Sequence, residues 1–280
     1  MAKIVGGVTT SHIPAIGNAM TNGVTQDPYW KPLFDGYVKV REWLDEVKPD
    51  IAVVVYNDHG LNFFLDSVPT FAIGAAAEYH NDDEGWGLTT QRSFKGDPEF
   101  SWHLIESLVN NEFDMTMCQE MLVDHGFIVP MQVMWGHLKD WPVTAVPLHV
   151  NVVQHPLPTA ARCYKLGKAL RKAIASYPED KKVVIFGTGG MSHQLQGERA
   201  GFLNQKADHM FMEKIIKDPE ALTRISASQY MEQFGTEGIE LIMWLVMRGA
   251  LTDDVNTVHT HYHYPVSNTA AGILVLEDAA

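Results

Sequence analysis

Three histidines sit just beyond apolar, β-branched runs: His12 in TTSHIP after KIVGGV, His59 in NDHG after IAVVVY, and His193 in GGMSHQ after VVIFGT. Imidazole is the commonest metal ligand and the side chain that exchanges protons near neutral pH. Two neutral histidines and one carboxylate on one face of an octahedron suit non-haem Fe(II) chemistry, because positions stay open for substrate and O2. A third histidine outside that set can move protons for the bound substrate. The carboxylate is harder to choose. In EGIELIMWLVMRG, Glu237 and Glu240 lie three residues apart and share a helical face, and Glu240 has Ile239, Leu241, Met243 and Trp244 nearby. A carboxylate so placed is either solvated on a narrow stripe or committed to a cation, and the pattern leaves both readings open.

Other candidates carry less. HTHYHYP puts His259, His261 and His263 on one face of a strand, because alternate residues face the same way. That spacing suits two ligands, as in a zinc hydrolase or a non-catalytic metal-binding protein, but equally a polar face turned to solvent, and we read it as the latter. GTGG at 187–190 lacks the spacing of a dinucleotide fingerprint and the Lys-Ser/Thr of a phosphate loop, so it reads as a tight turn. Cys118 and Cys163 have no neighbours that suggest a nucleophile, and the methionines and tryptophans read as core.

The elements that must position these groups alternate between strand and helix. Lys3 to Val8 reads as a first strand. A helix follows from the Asp27-Pro28 start, with Asp27 as cap, and runs to Val47. IAVVVY is a strand buried on both faces, VPTFAIGAA a third, DPEFSWHLIESLVNN a second helix with an Asp-Pro start, and MTMCQ a short strand. VTAVPLHV, a helix over 158–177 and KVVIFGTGG form a strand-helix-strand unit; helices fill 204–250, and VNTVHTHYHYPVSN and GILVLE end the chain with β character. The expectation is an α/β fold, a single catalytic domain over 1–280 with a central mostly parallel or mixed sheet covered by helices on both faces. Ligands of such sheets bind beyond the carboxyl ends of the strands, where the three histidines fall.

Composition narrows the partners. The 280 residues carry a formal charge of −13, which disfavours nucleic acid and anionic membrane surfaces and means that an anionic substrate must be held by short-range donors or a metal. Two cysteines are too few for a disulfide framework, and no signal-peptide pattern opens the chain, so a cytoplasmic setting is expected. The most apolar segment, 239–247, is too short to span a bilayer.

With these residues in view, the sequence resembles the class III extradiol ring-cleavage dioxygenases, in particular the catalytic β-subunit type that opens protocatechuate at its 4,5 bond. The likeness covers nearly the whole chain and is carried by GGVTTSHIPAIGNAM, VVVYNDHGLNFF, MLVDHGFIVPM, IFGTGGMSHQLQGERAGF, GIELIMWLVMRGAL and HYHYPVSNTAAGILVLE. It implies that His12, His59 and Glu240 hold Fe(II), which selects Glu240 over Glu237. It implies that His193 is the acid-base histidine and that His125 lines the dioxygen and substrate side. Asn57 is implied as a residue behind the metal or against the substrate, and Ser267 and Asn268 as contacts of the substrate carboxylate. The implied reaction inserts O2 into a carboxylated catechol, with protocatechuate giving 4-carboxy-2-hydroxymuconate semialdehyde; gallate or another catechol is the alternative substrate. The resemblance also implies a separate small α subunit covering the site, in a hetero-oligomer of α2β2 type.

Overall fold

The structure, a computed structural model, describes residues 1–89, 93–137 and 140–279. In chain order the elements are β1 (Lys3–Thr10), α1 (Pro14–Thr21), α2 (Lys31–Gly36), α3 (Val38–Val47), β2 (Ile51–Tyr56), β3 (Phe71–Gly74), β4 (Glu78–Asn81), β5 (Phe94–Lys95) and α4 (Pro98–Asn110). There follow β6 (Thr116–Cys118), β7 (Leu122–Val123), α5 (His125–Trp135), β8 (Thr144–Val150), α6 (Ala160–Ser176) and β9 (Lys182–Thr188). The last part holds α7 (Gln205–Lys217), α8 (Pro219–Thr223), α9 (Ala227–Phe234), α10 (Leu241–Gly249), β10 (Val255–Val266) and β11 (Thr269–Asp278).

Eight strands form one mixed sheet in the order β10-β11-β1-β9-β2-β8-β3-β6, and β5-β4-β7 make a small second sheet. At the centre β1, β9, β2 and β8 run parallel; β10 and β11 form an antiparallel hairpin at one edge, and β3 lies antiparallel to β8. Every residue of β2 is buried, because the sheet is covered on both faces. Val53 and Val55 join the core under α4, α6 and α10, whereas Ala52, Val54 and Tyr56 join the core under α1, α2, α3 and α5. Each such valine contributes about 1.5–3 kcal/mol of hydrophobic burial. The fold class is the one expected. Cys118 and Cys163 are free and buried, and among the described residues no helix is long and apolar enough to cross a membrane.

The structure adds α1 and the small sheet β5-β4-β7 to the expected elements and departs from them elsewhere. Asp27 does not start the long helix: its carbonyl accepts from Trp30 and Lys31 in a turn, and helix begins at Lys31 with Pro32 in its first turn, where a missing N–H costs least. Buried Tyr37 then separates α2 from α3. Helix α5 is apolar all round and carries Pro130, so no amphipathic period announces it. Glu237–Glu240 forms a separate 3-10 turn ahead of α10, a geometry that stacks residues three apart.

Candidate functional site

The strands β1, β9 and β2 are neighbours in the sheet, and just past their carboxyl ends lie His12, His193 and His59 in that same spatial order. Glu240 reaches this edge from the 3-10 turn, and the backbone N–H of Gly190 donates to its Oε2 at 2.7 Å. A side chain at Gly189 would put a Cβ 2.7 Å from that of Glu240, and the Gly189 φ of +127° is one that L residues rarely adopt. The GTGG turn is therefore the backbone that lets this carboxylate approach.

His12 Nε2 lies 3.2 Å from Glu240 Oε2, and His59 Nε2 lies 4.0 Å from Glu240 Oε1. One ligand atom from each of His12, His59 and Glu240 falls within 4.8 Å of the others. The His12 nitrogen is buried without a hydrogen-bond partner despite its short distance to the carboxylate. Two groups so close yet unaligned are disposed toward a shared point, as ligands of one cation are. His12 Nδ1 meets Thr188 Oγ1 at 3.0 Å, which fixes the ring with Nε2 inward. Burial alone would raise the Glu240 carboxyl, but His12, then His193 and His59, hold it below the usual carboxylate range. The donor set fits a divalent transition metal.

Behind this group stands Asp124, fully buried, which caps α5 through the Gly126 N–H and accepts from His59 Nδ1 at 2.8 Å. Burial opposes a charge on His59, yet Asp124 above all, with Glu240 and Glu84, raises its pKa to about 9. Burial likewise opposes the charge on Asp124, and His59 outweighs it, so the carboxyl is lowered to about 2. Asn57 Nδ2 lies 3.0 Å from His59 Nε2, and its Oδ1 is buried without a partner. A second candidate group, His59, Asp124 and His125, is less suited to a cation, since Asp124 and His125 already bond to protein partners.

His193 Nδ1 lies 2.8 Å from the Met191 carbonyl. That nitrogen therefore carries a proton and donates, leaving Nε2, 3.9 Å from Glu240 Oε2, turned to the cavity. His125 stacks on His59 at 4.0 Å between centroids, and its Nδ1 lies 2.8 Å from Glu84 Oε1. Burial, then His59, lowers the His125 pKa against the opposing pull of Glu84. A cavity of ≈ 820 Å³ opens over these rings, walled by Ile13, Pro14, Trp30, Leu61, Trp86 and Leu195.

Of the residues expected at the site, His12, His59, Glu240, His193 and His125 all line this one cavity, and Ser267 joins them from the β10–β11 turn. Asn57 does not line the cavity, and its amide lies beside His59 Nε2, on the side that faces Glu240. Asn268 is exposed on the same turn as Ser267 and does not line the cavity. Glu237 lines the cavity but accepts from the Leu195 N–H at 3.0 Å. His259 and His261 are not turned to solvent as expected: they are part-buried against α2, with His259 Nε2 bonded to the Gly36 carbonyl, and His261 meets that glycine. Among the described residues these histidines form no metal-holding group. Asp124, Glu84 and Thr188 are absent from the sequence reading. Asp124 alone carried a signal, the Asp-His-Gly of a helix cap.

Residues 6–274 match the family described as the catalytic LigB subunit of aromatic ring-opening dioxygenase. Over 196 residues the chain is 45% identical to a gallate dioxygenase of Pseudomonas putida, covering 70% of this chain and 57% of the relative. It is 29% identical over 188 residues to a 2,3-dihydroxyphenylpropionate/2,3-dihydroxicinnamic acid 1,2-dioxygenase of Photorhabdus laumondii, covering 66% and 55% respectively. The chain thus spans little more than half the length of these relatives. An uncharacterised Escherichia coli K12 protein, JW3007, shares the fold with a TM-score of 0.59 at 14% identity, covering 98% of this chain and 100% of that one.

Proposed function

This chain belongs to the LigB family of catalytic subunits of aromatic ring-opening dioxygenases, and from that premise we propose that it opens the ring of a carboxylated catechol with O2, gallate being the preferred substrate class. The observation that carries the proposal is the convergence of His12, His59 and Glu240 on one point beneath a cavity that also holds His193. The sequence reading puts protocatechuate first. The 45% identity to a gallate dioxygenase shifts the preference to gallate, whose ring bears one more hydroxyl.

His12 Nε2, His59 Nε2 and a Glu240 oxygen are the proposed holders of Fe(II), which when bound supplies open positions for two adjacent ring hydroxyls and O2. Asp124 holds a proton on His59 Nδ1 and so leaves Nε2 for the metal, and the carboxylates that raise the His59 pKa would also favour a cation there. Asp124 and Thr188 fix the two histidine rings. His193 accepts the proton of a ring hydroxyl at Nε2 and can return it later, because Nδ1–H stays committed to the Met191 carbonyl. His125, held by Glu84, presents its other nitrogen to the ring. Trp30, Leu61 and Trp86 exclude water around the ring. Ser267, with Asn268 beside it, is the proposed contact for the substrate carboxylate. A covering partner of the small α-subunit kind completes the proposal, since Trp86 and Leu195 line the cavity while 54% and 55% exposed.

The test is O2 uptake by the Fe(II)-loaded chain, with and without such a partner, on gallate, protocatechuate and pyrogallol. Gallate turned over with the highest kcat/KM supports the proposal. Equal values for gallate and pyrogallol would remove the carboxylate contact, and a preference for protocatechuate would restore that substrate.

A further inference from the structure

His193 stands in a turn whose neighbouring residue is anchored in the opposite direction. The turn lies between β9 and the loop to α7, and its backbone is pinned by Met191 N–H to the Ala270 carbonyl and by His193 N–H to the Phe234 carbonyl. Ser192, fully buried, turns away from the cavity toward α7. Its N–H donates to Asp208 Oδ1 at 2.9 Å, and its hydroxyl to Asp208 Oδ2 at 2.7 Å. The Asn204 N–H donates to Ser192 Oγ at 2.7 Å, so the hydroxyl proton is directed onto the carboxylate. Tyr262 of β10 adds a third donor to Asp208 Oδ2 at 2.8 Å.

Asp208 is fully buried, and burial raises its pKa against the opposing hydrogen bonds of Ser192 and Tyr262 and the nearby His209. Such a carboxylate is costly unless donors satisfy it, and here the donors come from the residue beside His193 and from the far hairpin. An asparagine could not take its place intact: the amide nitrogen would confront either the Ser192 N–H or the hydroxyls of Ser192 and Tyr262, all of them donors in the present arrangement.

We propose that Asp208 is a positioning residue for His193, holding the 191–193 turn through Ser192 so that the ring keeps its Nδ1–H on the Met191 carbonyl and its Nε2 toward Glu240. This rests on the role proposed above for His193. Glu240 takes its hydrogen bond from Gly190, ahead of the 191–193 turn, and His12 and His59 come from other segments, so the clamp acts first on the His193 ring and hence on proton transfer.

The experiment compares Asp208→Asn and Ser192→Ala with the unaltered chain, using isotope-labelled histidine and imidazole N–H spectra of the protein prepared without metal. The Nδ1–H of His193, bonded to a buried carbonyl, should be protected from exchange, and the Nδ1–H of His59, bonded to Asp124, serves as the internal reference. Loss of the His193 signal in either variant with the His59 signal retained supports the clamp. Retention of both signals in both variants, loss of both together, or absence of the His193 signal from the unaltered chain overturns it. In the iron-loaded enzyme the variants should lower kcat by about tenfold to a hundredfold with KM within about twofold, the scale of a displaced catalytic group. A rise in KM at constant kcat would also overturn it. If no catechol is turned over by the unaltered chain, the functional reading fails while the spectra still decide the clamp.

Discussion

The Nε2 of His12 and the Oε2 of Glu240 stand 3.2 Å apart, from opposite ends of the chain, yet His12 Nε2 makes no hydrogen bond. With His59 they surround a single point, and that geometry sets the first expectation. His12→Ala, His59→Ala and Glu240→Ala each lose bound iron, because a three-ligand site deprived of one protein ligand holds metal weakly. Glu237→Ala keeps it, since Glu237 lies outside the group formed by His12, His59 and Glu240. Metal content per chain after desalting is the measurement.

Asp124→Asn should lower metal affinity by about 10–100-fold without abolishing the site. The reason is the 2.8 Å contact that keeps the His59 proton on Nδ1 and its Nε2 lone pair inward. Competition against a chelator of known affinity reads the change. Asparagine caps a helix as well as aspartate does, so α5 keeps its start and the loss is confined to the contact with His59.

His193→Phe should retain iron and still bind the catechol under anaerobic conditions, while turnover falls by about 10²-fold or more. Its Nε2 is 3.9 Å from Glu240 and turned to the cavity, outside the three-residue ligand group. Iron loss in this variant would place His193 among the ligands.

Stability should fall in mild acid through His149. Burial lowers its pKa from 6.5 to about 4, and its Nδ1 accepts the Asp58 N–H at 3.0 Å, a bond that protonation at Nδ1 removes. Between those values the unfolded chain binds a proton that the folded chain does not, so stability rises with pH. The contribution is complete above about pH 6.5 and is lost as pH falls toward 4, up to about 3 kcal/mol. Denaturant midpoints across this range should show the slope, and His149→Asn, which can accept the same N–H without titrating, should flatten it.

The sheet and the histidines were legible in the sequence because both follow from short-range pattern: apolar strands such as IAVVVY end where polar ligands begin. The strand order was not, because adjacency of β1, β9 and β2 depends on contacts between segments more than a hundred residues apart. Neither was the support behind the ligands. Asp124 and Glu84 bond directly to His59 and His125, and Asp208 bonds to Ser192 beside His193, across separations that only the fold closes. The choice between Glu237 and Glu240 needed a resemblance, because only the folded chain brings a Glu240 oxygen within 4.8 Å of ligand atoms of His12 and His59, a group to which Glu237 does not belong.

In the function proposed above, ring opening is coupled to O2 at a metal held by His12, His59 and Glu240. The most direct measurement of that coupling is the ratio of O2 consumed to ring-opened product, in chain loaded with Fe(II) and in chain loaded with zinc, using gallate as substrate. One O2 per ring opened is expected with Fe(II), and no product with zinc or without O2. Product formed under strictly anaerobic conditions, or at equal rate in the zinc-loaded chain, would contradict it.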